Sequence, residues 1–128
     1  MDLRFGLDLV PVAAVRDSME QQGVRYLQRI YTAAEIEASR GPRGTDPSRL
    51  AERFAVKEAT LKVLPAADEG LDFRSIELVC HADGSLEVAL HGRAAELAAA
   101  AGVTRLRVSV TRDDRLAAAV VAAELEPA

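Results

Sequence analysis

This chain of 128 residues is short of several features that mark whole classes of protein. It has a single cysteine, Cys80, which excludes an internal disulfide and a metal site built from cysteines alone. Cys80 lies in an apolar alternation, so we expect a buried, unreactive thiol. The sequence has no apolar run long enough to cross a membrane and no signal-peptide pattern. We therefore expect a soluble, cytoplasmic protein without membrane contact.

Positive charge and aromatic side chains are also scarce. The net charge is −4, from 16 basic and 20 acidic residues, and only 4% of the residues are aromatic. Nucleic-acid binding usually needs a basic face and often stacking aromatics, so this class is not expected. Hydrophobic residues make up 49% of the chain, which is enough for one small domain over residues 1–128. A core of small aliphatic residues favours an oligomer that completes the burial.

The apolar patterning predicts an α+β fold. Residues 3–10 alternate as a strand, with Phe5, Leu7 and Leu9 on one face and Asp8 on the other. Helical patterns follow at 11–23, 24–30, 33 onward and 47–64. Two β-hairpins are predicted at 76–90 and 106–125, with a helix at 93–101 between them. This order predicts a mainly antiparallel sheet packed on a central helix.

The central helix carries an acid on its apolar side. At about 100° per residue, Glu58 falls within an arc of apolar side chains. Arg53, Lys57 and Thr60 fall on the opposite side, which we expect to be solvated. The apolar arc consists of Leu50, Ala51, Phe54, Ala55, Ala59 and Leu61.

Asp8 and Glu58 are both acids where an uncompensated carboxylate is costly, one on a strand and one facing a core. If the helix packs on the strand, the two carboxylates converge. A hard cation such as Mg²⁺ explains both acids, and Lys62, one turn after Glu58, then points toward a bound phosphate. A structural ion pair of Lys62 with Asp8 or with Glu58 explains the same residues equally well.

These motifs resemble the holo-acyl-carrier-protein synthases, the small single-domain 4′-phosphopantetheinyl transferases. The likeness rests first on Gly6-Leu-Asp-Leu-Val10 and on Arg53-Phe-Ala-Val-Lys-Glu-Ala59 with Lys62. It extends through Arg29-Ile-Tyr-Thr-Ala-Ala-Glu35, Phe73-Arg-Ser-Ile-Glu77 and Val108-Ser-Val-Thr111. It therefore covers nearly the whole chain.

The resemblance implies a reaction and a set of roles. The phosphopantetheine arm of coenzyme A moves to a serine of an apo acyl carrier protein, and 3′,5′-ADP is released. Asp8 and Glu58 match the family's Mg²⁺ ligands, and Glu58 helps to take the serine proton. Lys62 neutralises charge on the leaving phosphate, while Arg53 matches a residue near the coenzyme A phosphates. The family's active sites lie between the subunits of a homotrimer.

The resemblance also implies a contact surface for the acidic carrier protein. Members of the family meet the carrier with a basic first helix, and Arg16, Arg25 and Arg29 are the candidates in this chain. The plain alternative is that these arginines are only solvated.

Two stretches depart from the family pattern. The family's Ser-x-Ser-His run is Ser109-Val-Thr-Arg112 here. Ser109 and Arg112 remain candidates for coenzyme A binding, because arginine binds phosphate but cannot transfer a proton at neutral pH. The Gly-rich turn after the central helix is replaced by residues 65–70, which include two acids. These departures keep open a protein of the same fold that only binds a carrier protein or acts on a carrier-bound acyl chain.

Overall fold

A three-stranded antiparallel sheet with one long helix packed across it forms the centre of the molecule. The computed structural model describes residues 2–65 and 70–127. The strands are β1 (Asp2–Pro11), β2 (Arg40–Gly41), β3 (Gly44–Thr45), β4 (Ile76–Cys80), β5 (Leu86–Leu90), β6 (Val103–Arg112) and β7 (Leu116–Leu125). The helices are α1 (Val12–Gln22), α2 (Val24–Ile30), α3 (Ala33–Ala38), α4 (Pro47–Leu61) and α5 (Gly92–Ala100), with a 3₁₀ turn at Phe73–Ser75.

The main sheet has the strand order β1–β7–β6, and β2–β3 and β4–β5 form separate hairpins. Asp8 pairs with Ala119, which in turn pairs with Val110. Because side chains alternate across a strand, these residues share one face of the sheet, the face on which α4 packs. Their neighbours in each strand point to the opposite, outer face.

Local capping signals set the helix boundaries as predicted. The Asp46 side chain accepts a hydrogen bond from the Ser48 amide at 2.9 Å, with Pro47 in the first turn of α4. Thr32 and Glu35 form the predicted capping box of α3. α4 ends at Leu61, three residues before the predicted end.

The prediction that one side of α4 is solvated is wrong. Lys57 and Thr60 are fully buried and Arg53 is 4% exposed. The reason is a second layer on the helix: α3 and β4 pack against the side that faces away from the main sheet. α4 is therefore enclosed from two directions, and an amphipathic helix with one buried face is the wrong description of it.

Cys80 is exposed, contrary to the buried thiol expected from its apolar neighbours. Alternation places it on the same face of β4 as the buried Ile76 and Leu78, but it is the last residue of the strand and is not covered there. His81 and His91 are exposed at strand ends as well. Within residues 2–65 and 70–127, no helix is both long enough and apolar enough to span a bilayer.

Gly6 allows β1 and α4 to approach closely. A Cβ atom at this position would lie 2.0 Å from the backbone oxygen of Ala59 and 3.2 Å from the Lys62 side chain. Real Cβ atoms do not approach a backbone oxygen so closely, so only glycine fits here. The contact puts the middle of β1, including Asp8, beside the C-terminal half of α4.

Gly6→Ala is expected to lower the free energy of unfolding by about 3 kcal/mol, the upper end of the usual cost of overpacking, because backbone atoms must separate. Urea denaturation measures this change. Gly41→Ala is the matched control, since a Cβ there meets nothing nearer than 3.6 Å. A Gly6→Ala variant as stable as the control would show that α4 can shift without cost.

Candidate functional site

The predicted convergence of Asp8, Glu58 and Lys62 is present where β1 meets the end of α4. Lys62 Nζ lies 3.2 Å from Asp8 Oδ1 and donates a hydrogen bond to the Leu7 carbonyl oxygen at 2.6 Å. Glu58 lies one turn before Lys62 on the same helix and is half-buried. The Lys62 side chain is 50% exposed, so the cluster opens to solvent on one side.

The Glu58 carboxyl is electrostatically strained. Burial raises its pKa, the nearby Asp8 carboxylate raises it further, and Lys62 opposes the shift. Two like charges held close together in a partly buried site are relieved by a cation between them. Because ionisation of Glu58 is costly here, a cation bound between the two carboxylates would be stabilised.

The donor set fits Mg²⁺ better than a transition metal. Among the described residues, no group of three or more His, Cys, Asp or Glu side chains could hold a metal ion. Asp8 and Glu58 supply only two carboxylates, and Mg²⁺ usually takes one or two carboxylates with water and substrate phosphate in the other positions. The residues that would hold Mg²⁺ are thus Asp8 and Glu58.

Arg53 lies deep between α4 and the β4–β5 hairpin. Its Nη1 donates to the Arg49 carbonyl oxygen at 3.0 Å, and its Nη2 contacts Cys80 Sγ at 3.5 Å. Its Nε is buried without a hydrogen-bond partner among the described residues. A buried guanidinium with an unsatisfied donor would be stabilised by an anion next to it.

Ser109 and Arg112 lie on opposite faces of the main sheet. Ser109 is exposed on the outer face of β6, opposite to the face that carries Asp8. Arg112, the last residue of β6, lies on the α4 face and pairs with Glu52 at 3.2 Å. One chain therefore does not bring Ser109 and Asp8 to a single site. Residues 66–69, most of the altered turn at 65–70, lie outside the described residues.

The candidate carrier-binding arginines form a solvent-facing group on the first two helices. Arg16 lies on α1, and Arg25 and Arg29 lie on α2, all three exposed. In the part of the chain that the structure describes, none of the three pairs with an acidic side chain. They therefore present positive charge to solvent.

The sequence did not indicate the buried ion pair between Glu35 and Lys57. Lys57 Nζ lies 2.7 Å from Glu35 Oε1, and both side chains are fully buried. Lys57 also donates to the carbonyl oxygens of Phe73 and Ile76. The only local signal was the capping box, which places Glu35 at the start of a helix but does not indicate Lys57, 22 residues away, as its partner.

Comparison with known proteins gives a consistent result over nearly the whole chain. Residues 4–121 match the family model of the 4′-phosphopantetheinyl transferase superfamily. The holo-[acyl-carrier-protein] synthase of Chloroflexus aurantiacus is 39% identical over 133 residues, covering 94% of this chain and 97% of the relative. That of Paramagnetospirillum magneticum is 37% identical over 133 residues, covering 100% of both chains.

A solved structure shares the fold. The crystal structure of Helicobacter pylori holo-[acyl-carrier-protein] synthase in complex with coenzyme A matches with a TM-score of 0.81 at 24% sequence identity. The match covers 94% of this chain and 100% of that one. The arrangement of antiparallel strands around a central helix, as predicted from the sequence, is therefore one already seen in a solved structure.

Proposed function

Because this chain belongs to the 4′-phosphopantetheinyl transferase superfamily, we propose that it is a holo-[acyl-carrier-protein] synthase. It transfers the phosphopantetheine arm of coenzyme A to a serine of an apo acyl carrier protein. Membership of the family confirms the enzyme class predicted from the sequence. The observation in this chain that carries the proposal is the cluster of Asp8, Glu58 and Lys62.

The transfer needs a base and a positive charge at the reacting phosphorus. The serine oxygen forms a bond to the phosphorus next to the pantetheine, and the bond from that phosphorus to the oxygen of 3′,5′-ADP breaks. Glu58 takes the serine proton, a role that its raised pKa favours. Lys62, with half of its side chain exposed, is free to turn from Asp8 toward the leaving phosphate.

Asp8 and Glu58 are the proposed Mg²⁺ ligands. Bound there, Mg²⁺ would neutralise the phosphate charge of coenzyme A and polarise the phosphorus for attack. The two carboxylates balance the charge of the ion. Burial and then the Asp8 carboxylate raise the pKa of Glu58, and a bound cation would offset both effects. Binding of Mg²⁺ would thus explain why both acids lie at positions that are costly for a carboxylate.

Further cationic groups serve the substrates. Arg53, with its unsatisfied Nε, together with Ser109 and Arg112, is proposed to bind the phosphate groups of coenzyme A. Arg16, Arg25 and Arg29 are proposed to attract the acidic carrier protein, which raises the rate of association more than the affinity.

A homotrimer is the proposed assembly. The outer face of the β1–β7–β6 sheet carries a row of apolar side chains that are each between 38 and 65% exposed. Such a contiguous apolar surface is typical of an interface. Ser109 lies at this outer face, whereas Asp8 faces α4, so both reach one coenzyme A molecule only across two copies of the chain. The row consists of Leu3, Phe5, Leu7, Leu9, Leu116 and Val120.

Phe5→Glu is expected to convert the trimer to a monomer and to abolish transfer, because a charge would be buried in the apolar interface. Light scattering with size-exclusion chromatography measures the mass. Val24→Glu is the matched control for the mass alone, since Val24 is a similarly exposed apolar residue on α2, away from the sheet but next to Arg25 of the proposed carrier-binding group. A wild-type chain that runs as a monomer at working concentration would contradict shared active sites.

The function itself is tested by product release. Wild-type protein, coenzyme A, Mg²⁺ and an apo carrier protein are expected to yield 3′,5′-ADP, which chromatography separates from coenzyme A. Omission of the carrier, replacement of its serine by alanine, or chelation of the metal with EDTA should each stop the release. Release that persists without the carrier would indicate hydrolysis of coenzyme A and not transfer.

A further inference from the structure

A second buried acid on α4 makes an ion pair that the family resemblance does not predict. Glu52 is only 8% exposed. Its two carboxylate oxygens accept hydrogen bonds from a single nitrogen, Nη1 of Arg112, at 3.4 and 3.2 Å. Burial of a carboxylate without a partner would be costly, so Arg112 compensates Glu52. The pair joins α4 to the end of β6 across 60 residues of sequence.

The contact leaves most of the guanidinium free. Arginine has five N–H donors in a planar fork, and the pair with Glu52 uses Nη1 alone. Nε and Nη2 donate no hydrogen bond to any residue in 2–65 or 70–127, and the side chain is 35% exposed. A fork held at one end presents its remaining donors in a fixed direction, which suits the oxygens of a phosphate group.

Arg112 is one of the residues that line a cavity of about 390 Å³ beside the turn between β6 and β7. Asp113 is the acid on its wall. Its carboxylate accepts the amides of Arg115 and Leu116 at 2.8 Å each, which holds its pKa below the usual range. Asp113 is therefore committed to the turn. The cavity is lined by Leu9, Thr111, Arg112, Asp113, Leu116, Ala117 and Ala118.

We propose that Glu52 is a positioning residue, which holds Arg112 by one nitrogen so that the rest of its guanidinium binds a phosphate group of coenzyme A. The inference rests on the proposed function for the identity of the ligand. A free arginine side chain loses rotamer entropy when it binds, and a side chain that is already fixed loses less. The buried carboxylate thus strengthens phosphate binding although it carries the same sign of charge as the phosphate.

Glu52 could have the opposite effect if it repelled the phosphate and competed with it for the Arg112 guanidinium. The two roles differ in the sign of one measurement. If Glu52 positions Arg112, its removal weakens coenzyme A binding; if it competes, its removal strengthens binding. The pair Glu52→Ala and Glu52→Gln separates charge from position, because the glutamine oxygen still accepts a hydrogen bond from Arg112.

Calorimetric titration of coenzyme A and of 3′,5′-ADP, without carrier protein, tests the proposal. Glu52→Ala and Arg112→Ala are each expected to raise Kd about tenfold, the loss of one charge-assisted contact. Glu52→Gln is expected to stay within about threefold of wild type. The double variant should bind no more weakly than Arg112→Ala alone, because both changes remove the same interaction. Thermal unfolding is recorded for every variant.

Unchanged or tighter binding by Glu52→Ala would overturn the proposal, and so would fully additive losses in the double variant. If Glu52→Ala does not fold, the affinity of Arg112→Lys for coenzyme A provides the test. Lysine keeps the ion pair with Glu52 but lacks the planar fork, so wild-type affinity for coenzyme A in this variant would refute the inference. A wild-type protein that binds coenzyme A without transferring the arm refutes the proposed function but not the positioning role. A wild-type protein that binds neither ligand refutes both.

Discussion

Glu58→Gln is expected to abolish phosphopantetheine transfer while the protein remains folded. The amide has the shape of the carboxyl but takes no proton and is a poor Mg²⁺ ligand. The transfer rate should therefore fall by at least about a hundredfold and by up to about ten-thousandfold, the range for loss of one general base. Single-turnover transfer at saturating coenzyme A and carrier measures it. The steric match keeps the packing of α4 on β1 intact.

Glu58→Gln should not lower the stability of the protein, although it abolishes activity. Burial and Asp8 raise the pKa of the Glu58 carboxyl above its usual value. An acid whose pKa is higher in the folded state than in the unfolded chain opposes folding once the pH exceeds the unfolded value, and the full cost is present above the folded value. Without metal at neutral pH, Glu58→Gln should therefore melt at the same temperature as wild type or higher. A gain in stability with a loss of activity is expected at a functional site.

A matched change of an exposed acid provides the control. Glu37→Gln removes one carboxylate from α3, where Glu37 pairs with Arg40 at the surface. It should leave both transfer and melting temperature close to wild type, since exposed pairs contribute little. Transfer by Glu58→Gln at the rate of the Glu37→Gln control would remove Glu58 from the mechanism.

Lys57→Met is expected to destabilise the protein by about 3–5 kcal/mol, the cost of breaking a buried ion pair from one side. Lys57 joins α4 to Glu35 of α3 and to the carbonyl oxygens of Phe73 and Ile76. Without the ammonium group, the buried Glu35 carboxylate would have no counter-charge, and the carbonyl oxygens of Phe73 and Ile76 would each lose the hydrogen bond from Lys57. Urea denaturation measures the loss.

Two further variants make this test specific. Lys62→Met removes a half-exposed lysine near the end of the same helix and should cost less than about 1 kcal/mol. Glu35→Gln combined with Lys57→Met should recover part of the loss, because the uncharged side-chain amide at position 35 can still accept the Leu78 N–H that Glu35 accepts at 3.1 Å. A loss in Lys57→Met no larger than in Lys62→Met would show that the buried pair does not stabilise the fold.

Local patterns predicted the elements well because the signals act over a few residues. Alternation gave both hairpins, and the Asp46 cap and the Thr32–Glu35 capping box set two helix starts. The position of Asp8 and Glu58 also followed from local sequence, since each is an acid that its own element disfavours. Their approach to Lys62 then required only that α4 pack on β1, as Gly6 permits.

Long-range pairing was not predictable in this way. Nothing near Glu52 indicates Arg112, and nothing near Lys57 indicates that α3 and β4 will cover it. Periodicity assigns only one buried face to a helix, so it predicts Lys57 in solvent, whereas α4 is covered on two sides and Lys57 is buried. The same limit applies to Cys80, which alternation places on the face of Ile76 and Leu78 but which is exposed because the strand ends there.

The intact mass of an apo carrier protein, measured after incubation with this protein, coenzyme A and Mg²⁺, shows directly whether the arm is transferred. We expect the carrier to gain the mass of one phosphopantetheine group with wild-type protein and to gain nothing with Glu58→Gln. No gain with wild-type protein on any of several carriers, despite measurable coenzyme A binding, would contradict the proposed transfer.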